Sequence, residues 1–408
     1  MVRGRPNACR HEHITLLQPS IALNERVIQI VEAVVRQNSR TTPADGVLRI
    51  ELKRQRELPP DLARKAARAV FAIFRWRGWI DATRTIVEQI EEADSLQERF
   101  KKAPKSFPDD ELLAHAVPAW ISGEMEVTPS WLRSLQTEPR LWLRARVGQG
   151  DQLAAILGDC WIPPQRALAD CVEYLGLEDL FRTREFHAGE FELQDINSQI
   201  VSLICAPKPG ETWWDACAGE GGKLLHLSDL MQNKGLIWAS DRTEWRLKRL
   251  KIRAGRSKAF NYRSVLWDGG AKPPTKTKFD GALVDAPCSG VGTWQRNPHA
   301  RWTTTAEDVA ELAAVQKRML RTVAGSIKPG GRLVYSVCTL TKAETSEVAR
   351  DFQEAFPDFI CEPLVNPLKP EAAPTNDLCL WPSDGGNGMY IAAWRRQKEA
   401  GRQETKQT

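Results

Sequence analysis

From about Asp195 onward the chain alternates short apolar runs with helical patterns, and no other feature restricts its fold so strongly. That alternation calls for a largely parallel sheet sandwiched between helices. The runs cover residues 212–217, 236–240, a third near Phe260, 279–284 and 333–337. Two more, 359–363 and 389–394, complete an expected seven-stranded sheet. Helices are expected after the first run through Leu230, over 244–254 and over 307–326. In open α/β sheets ligands bind outside the carboxyl ends of the strands, so the residues just beyond each run are the candidates for chemistry.

The first of these loops reads Asp215-Ala216-Cys217-Ala218-Gly219-Glu220-Gly221-Gly222-Lys223. Glycines let the backbone come close to a ligand and present amides at a helix N-terminus. A dinucleotide fingerprint needs a third glycine where Leu224 stands, and a phosphate loop needs its lysine followed by Ser or Thr. The loop is therefore glycine-rich without being a pyrophosphate cradle. S-adenosylmethionine, which has no phosphate, is the natural alternative. Asp241 ends the second run and can accept from ribose hydroxyls, Asp268 follows the third, and Asp285 ends the fourth. Each acid alone reads equally well as a turn former; the series is harder to dismiss.

Two thiols, Cys288 and Cys338, follow the fourth and fifth runs, which are neighbours in a methyltransferase-ordered sheet. A lone buried cysteine is usually a small core hydrophobe, and Cys160, Cys171, Cys205, Cys361 and Cys379 are expected to be of that kind. The pair at the strand ends fits another chemistry. Carbon 5 of a pyrimidine is a poor nucleophile until a thiolate adds to carbon 6. A thiolate needs a positive neighbour or a proton acceptor; Lys223 is at the right end of the sheet, although a first-turn lysine is as often merely solvated.

At 408 residues two or three domains are expected. Residues 1–20 read as an arm whose Cys9, His11 and His13 match no structural zinc spacing, so no metal is expected. Residues 21–135 show helical periodicity, with Val27, Ile28, Ile30, Val31, Val34 and Val35 on one face. Asp61 is a candidate cap for a helix carrying Arg64, Lys65, Arg68, Arg75 and Arg77, a face that is either solvated or phosphate-contacting. A short helix is expected over 111–121. Residues 136–190 form a small α+β module, with a strand over 141–146, a helix over 151–157 and extended chain over 186–193. The sheet domain spans 191–397, and 398–408 is a polar tail expected to be disordered. A net charge of +5 permits nucleic acid without demanding it. Nine cysteines without a C-x-x-C pair, no signal segment and no run of about 20 apolar residues point to a reducing, cytoplasmic setting with no membrane. Most of the fifteen tryptophans are expected in cores, and the chain is expected to be a monomer.

These residues resemble the RsmB/NSUN family of RNA cytosine-5 methyltransferases. The loop 215–223 is similar to the family's D-x-C-A-A-P-G-G-K. Asp285-Ala-Pro-Cys-Ser-Gly290 is similar to D-A-P-C-S-G, Tyr335-Ser-Val-Cys-Thr339 to Y-S-T-C-S, and Gln295-Arg-Asn-Pro298 to the R-x-P segment. The resemblance covers about residues 186–395. Upstream it extends to an RRM-like module and, on fewer residues, to a NusB-like helical domain. It implies a Rossmann-like class I methyltransferase fold with S-adenosylmethionine as cofactor and RNA as partner, rRNA first and tRNA next. It makes Cys338 the nucleophile and Cys288 the residue aiding release. Asp285 would hold the base at its N3 edge, supported by Lys223. Cys217, Ala218, Gly219, Glu220, Gly221, Gly222, Lys223, Asp241, Arg246, Asp268 and Asp285 would hold the cofactor. Gly219-Glu220 replaces the usual Ala-Pro, and His299 stands where an acid often follows R-x-P. Two other readings compete: a methyltransferase acting on an exocyclic base nitrogen, which needs no thiol, and an RNA-binding ribosome-assembly factor with a vestigial cofactor site.

Overall fold

The computed structural model describes residues 24–55 and 57–398; the 1–20 arm, with Cys9, His11 and His13, and the tail after 398 lie outside the described residues. The chain divides into two compact units. One takes the N-terminal part to Pro139 together with two later excursions, Ser289–Asp308 and Trp381–Asn387. The other takes Arg140–Cys288, Val309–Leu380 and the C-terminal part.

The first unit is helical: α1 Glu25–Gln37, α2 Ala44–Arg54, α3 Pro60–Trp76, α4 Ile86–Lys102, α5 Asp109–Ala116, α6 Ile121–Glu124 and α7 Pro129–Leu135. In α1, Val27, Ile30, Val31 and Val34 are buried as the periodicity requires. The expected single helix over 111–121 is two, because the chain turns extended at Val117, ahead of Pro118, as a residue before proline prefers. Asp61 is not the cap of α3; Pro59 occupies that position, with no side-chain hydrogen bond. Nor is the basic face uniform. Arg64, Lys65, Arg68 and Arg77 are exposed, whereas Arg75 is buried and donates to Gln97 Oε1 at 3.2 Å. Burial lowers its pKa to about 10. Arg301, delivered by the 289–308 excursion, is fully buried. Its guanidinium donates to the carbonyls of Arg75, Ala116 and Leu135, at the last turns of α3, α5 and α7. Helix C-termini leave such carbonyls without intrahelical donors, and one cation here serves three of them.

The second unit opens with a four-stranded antiparallel sheet: β1 Leu141–Ala145, α8 Gly150–Leu157, β2 Cys160–Trp161, β3 Cys171–Tyr174, α9 Arg184–Ala188 and β4 Phe191–Leu193, in the order β2-β3-β1-β4. β2 and β3 are too short and too irregular in pattern to stand out in the sequence. Residues 186–193 are not extended throughout: Thr183 caps α9 and Gly189, at φ 74°, ends it.

There follow α10 Ile196–Cys205, β5 Thr212–Asp215, α11 Gly222–Leu230, β6 Leu236–Asp241, α12 Glu244–Arg256, β7 Tyr262–Leu266, β8 Phe279–Asp285, α13 Ala306–Ala324, β9 Ile327–Val337, α14 Ser346–Ala355, β10 Phe359–Cys361, β11 Asp377–Leu380 and β12 Met389–Arg396. The sheet has eight strands rather than seven. Seven run in the order β10-β12-β9-β8-β5-β6-β7, and β11 pairs with β12 beside that path. β5 to β9 are parallel, and β12 is antiparallel to β9. Side chains alternate between two cores. Trp213, Ile237 and Ile391 face Leu224 and Leu250 on one side, while Trp214, Val284 and Tyr335 face Leu320 on the other. Strand order reverses between β5 and β8, so the crevice lies over their carboxyl ends.

Candidate active site

Asp215 and Asp285 end the two strands at this reversal. Here a cavity of about 580 Å³ opens, lined by residues 215–220, Gly222, Lys223, Asp241, Arg246, Asp268, Asp285, Cys288 and Cys338. Every expected site residue is among them except Gly221. That glycine instead starts α11 at φ 91°, and a Cβ there would meet the Leu250 side chain at 2.9 Å. Asp241 organises the loop itself. Its carboxylate accepts from the Gly219 amide at 3.1 Å and from the Thr243 amide at 2.8 Å.

The parallel register sets Asp285 opposite Ser336. Ser336 Oγ donates to Asp285 Oδ1 at 2.7 Å, and Lys223 Nζ to Asp285 Oδ2 at 2.7 Å. Three residues beyond Asp285, Cys288 Sγ lies 3.4 Å from Cys338 Sγ, which directly follows β9. The hydrogen bond with Cys288 draws the Cys338 thiol down; burial and Asp285 oppose it, Lys223 assists, and the outcome is below the ordinary thiol value. Burial also opposes the charge on Lys223, yet Asp285 outweighs it and holds the ammonium above its usual range. By contrast burial, reinforced by Asp215, pushes the Cys217 thiol well up, so this third cysteine of the cavity is a neutral thiol.

Five residues that shape the site carry no role in the sequence pattern. Gln316 of α13 donates to the Pro287 carbonyl at 2.9 Å and to Glu344 Oε1 at 2.9 Å. Tyr335 Oη donates to the Glu344 carbonyl at 2.6 Å. This buried network fixes the segments that carry both thiols. Ser336 and Tyr335 are visible in the sequence only as parts of a motif, and no pattern singles out Glu344 or Gln316. Asp215 heads the loop motif but gains no role from it; it is 1% exposed and lines the cavity. The remaining cysteines divide. Cys171 and Cys205 are buried, as expected; Cys160 and Cys361 are half-buried, and Cys379 is exposed, so the core reading fails for Cys379, on β11, which pairs with β12 beside the main strand order. Among the described residues no group of three or more His, Cys, Asp or Glu is arranged to hold a metal, and no helix is long and apolar enough to cross a membrane.

Residues 202–395 match the family described as 16S rRNA methyltransferase RsmB/F. Over this stretch the chain is RsmB-like. A probable ribosomal RNA small subunit methyltransferase B of Synechocystis is 40% identical over 184 residues, 44% of this chain and 41% of that protein. The mouse tRNA (cytosine(72)-C(5))-methyltransferase NSUN6 is 33% identical over 184 residues, 42% of this chain and 38% of that protein. The chain thus spans about two fifths of the length of these curated relatives. Among solved structures, the crystal structure of PH0851 superposes with a TM-score of 0.76 at 22% identity, covering 93% of this chain and 100% of that one. A methyltransferase homolog protein from Pyrococcus horikoshii superposes with a TM-score of 0.54 at 26% identity, covering 66% of this chain and 90% of that one, and the large sheet shares this class I methyltransferase fold.

Proposed function

We propose that the protein methylates carbon 5 of a cytosine in RNA, with S-adenosylmethionine as donor and Cys338 as nucleophile. The carrying observation is the pair of thiols 3.4 Å apart in the same cavity as the Lys223–Asp285 pair and the glycine loop. A methyltransferase for an exocyclic nitrogen has no use for either thiol. The residues present also fit the cofactor. The loop 217–223 gives close backbone approach, Asp241 and Asp268 line the cavity as acceptors for the nucleoside, and Arg246 borders it. When bound, S-adenosylmethionine supplies an electrophilic methyl group.

The protein's own residues do the rest. Cys338, as thiolate, adds to carbon 6 of a cytosine taken out of its stack, which makes carbon 5 nucleophilic. The Cys288 S–H donates to the thiolate before attack. Asp285, held from two sides by Ser336 and Lys223, presents its carboxyl group to the N3 edge of the base. Lys223 places a positive charge where the adduct gathers electron density. After methylation a base takes the carbon 5 proton, the carbon 5–carbon 6 double bond re-forms and the Cys338 sulfur leaves as thiolate; Cys288, its own proton already passed to the medium, is the residue assigned to this release. Glu220 does not argue for a vestigial site, since its carboxylate lies 3.5 Å from Arg249.

An RNA substrate, rRNA before tRNA, is consistent with the names of the relatives. The exposed face of α12, with Trp245, Arg246, Lys248 and Arg249, supplies cations for phosphates and a ring for stacking. The small sheet, read from its other edge, runs β4-β1-β3-β2 with one helix after β1 and one after β3, which supports an RRM-like reading; the helical unit is read as NusB-like. The test is Cys288→Ala incubated with total RNA and cofactor. A denaturant-resistant protein–RNA band that disappears in Cys288→Ala/Cys338→Ala is expected. No such band, together with full methylation by Cys338→Ala, would overturn the assignment.

A further inference from the structure

A second cavity, of about 470 Å³, opens within the second unit, and Glu220 of the glycine loop borders both cavities. Part of its lining is one stripe of α12. Arg249, Ile252, Arg253 and Arg256 stand at i, i+3, i+4 and i+7, the spacing that aligns side chains on a single helix face. The rest comes from residues 181–193, through Phe181, Phe186 and Leu193. The inner part is fixed. Buried Glu192 accepts from Arg253 and Arg256, and the Arg256 guanidinium lies 3.9 Å from the Phe186 ring centroid. The lip is open: Phe181 is 57% exposed and Ile252 74%. Phe181 meets Phe186 edge-on at 5.0 Å, which orients its ring. The charged lining is three arginines against two carboxylates, and Arg182, Arg184, Lys248 and Lys251 nearby in the chain are exposed.

We propose that this cavity is a second nucleotide subsite, where an unpaired base flanking the target stacks on Phe181 and its phosphate meets Arg249. The subsite rests on the RNA reading above and extends it from the target base to a neighbour in the same strand. An apolar partner would strip water from these cations without pairing them. A nucleotide satisfies both features, with a π face for the ring and a phosphate for the guanidinium. Continuity with the target's cavity across Glu220 favours RNA over an acidic peptide. A target base that leaves its stack also deprives its neighbour of stacking. A ring held one loop away offsets that loss, because the neighbour finds Phe181 in place of a base. Arg249 is half exposed, with Glu220 at 3.5 Å, so a phosphate at the lip competes with Glu220 for it. Since every base has a π face, the subsite selects unpaired strand over duplex rather than one sequence over another.

Fluorescence anisotropy on the full chain with two labelled strands tests this. One is a single-stranded oligocytidylate, and the other is a strand of the same length made of abasic nucleotides. Phe181→Ala should weaken the oligocytidylate about 5- to 150-fold, the loss of one stacked base. It should leave the abasic strand unchanged, which also shows that the variant is folded. The slope of log affinity against log salt should stay the same in Phe181→Ala and fall by about 0.7 in Arg249→Gln, which separates stacking from phosphate contact. Undiminished oligocytidylate affinity in Phe181→Ala, the result expected of a face that docks a protein instead, would overturn the subsite and leave the RNA reading standing. Equal loss on both strands would do the same. Failure of the unaltered protein to bind either strand at low salt would overturn both.

Discussion

The Cys338 thiol is held below its ordinary pKa by contacts that can be removed one at a time. Its pKa is drawn below the ordinary thiol value chiefly by Cys288, with help from Lys223. Site-resolved alkylation with iodoacetamide should show Cys338 reacting with an inflection below that of a free thiol, about 8.5. In Cys288→Ala the inflection should move upward, and alkylation at pH 7 should slow accordingly. An unchanged profile would mean that the two sulfurs do not share a proton. Cys217, buried and surrounded by acids, should stay unmodified throughout. Both cavity thiols proposed to react are legible in the sequence because each follows an apolar run. Ser336 and Gln316 are not, since their roles depend on register and on a helix crossing that no local pattern records.

At the scale of elements, the small sheet is joined to the helices of its own unit by buried ions. Arg144 and Arg146 reach Asp229 of α11 at 2.6 and 2.8 Å. Glu192 of β4 is 3% exposed and accepts from Arg253, Arg256 and Ser257 at the end of α12. Arg253 also donates to the Glu220 carbonyl at 3.2 Å, so β4, α12 and the glycine loop form one chain of contacts. Burial would raise the Glu192 pKa, but Arg253 and Arg256 outweigh it and hold it below the ordinary range. A depressed carboxyl contributes stability above its unfolded value and loses it as pH falls through the folded one. Thermal midpoints of the protein should therefore drop below about pH 4.5, and less steeply in Glu192→Gln. At pH 7 the substitution should cost near the lower end of about 3–5 kcal/mol, because both arginines keep some solvent contact. The strands of this module are two to five residues long, too short for periodicity to reveal, whereas the large sheet, with its longer apolar runs, is readable almost strand by strand.

At the scale of the molecule, each unit is assembled from separated stretches of chain. Arg301→Met removes the donor shared by three helix ends; leaving those carbonyls buried and unpaired should cost at least about 3 kcal/mol, a fall of roughly 6–12 °C in the helical unit's midpoint. Residues 24–139 expressed alone should show incomplete cooperativity in thermal circular dichroism, and adding a peptide of residues 289–308 should sharpen the transition. A sharp transition without the peptide would show that the helices need no such completion. No local pattern warns of this arrangement, because continuous periodicity over 21–135 looks like a self-contained domain.

The arrangement sets an order of events during synthesis. When Pro139 leaves the ribosome, the helices that end at Trp76, Ala116 and Leu135 are already made, yet the side chain that gathers their carbonyls is some 160 residues (301 − 139) away. At about 5–20 residues per second, the nascent helical layer waits on the order of 8–30 s for Arg301. During that interval it presents a half-finished apolar surface, so ribosome-associated chaperones have a defined window in which to hold it, and slow codons between positions 139 and 301 would lengthen that window.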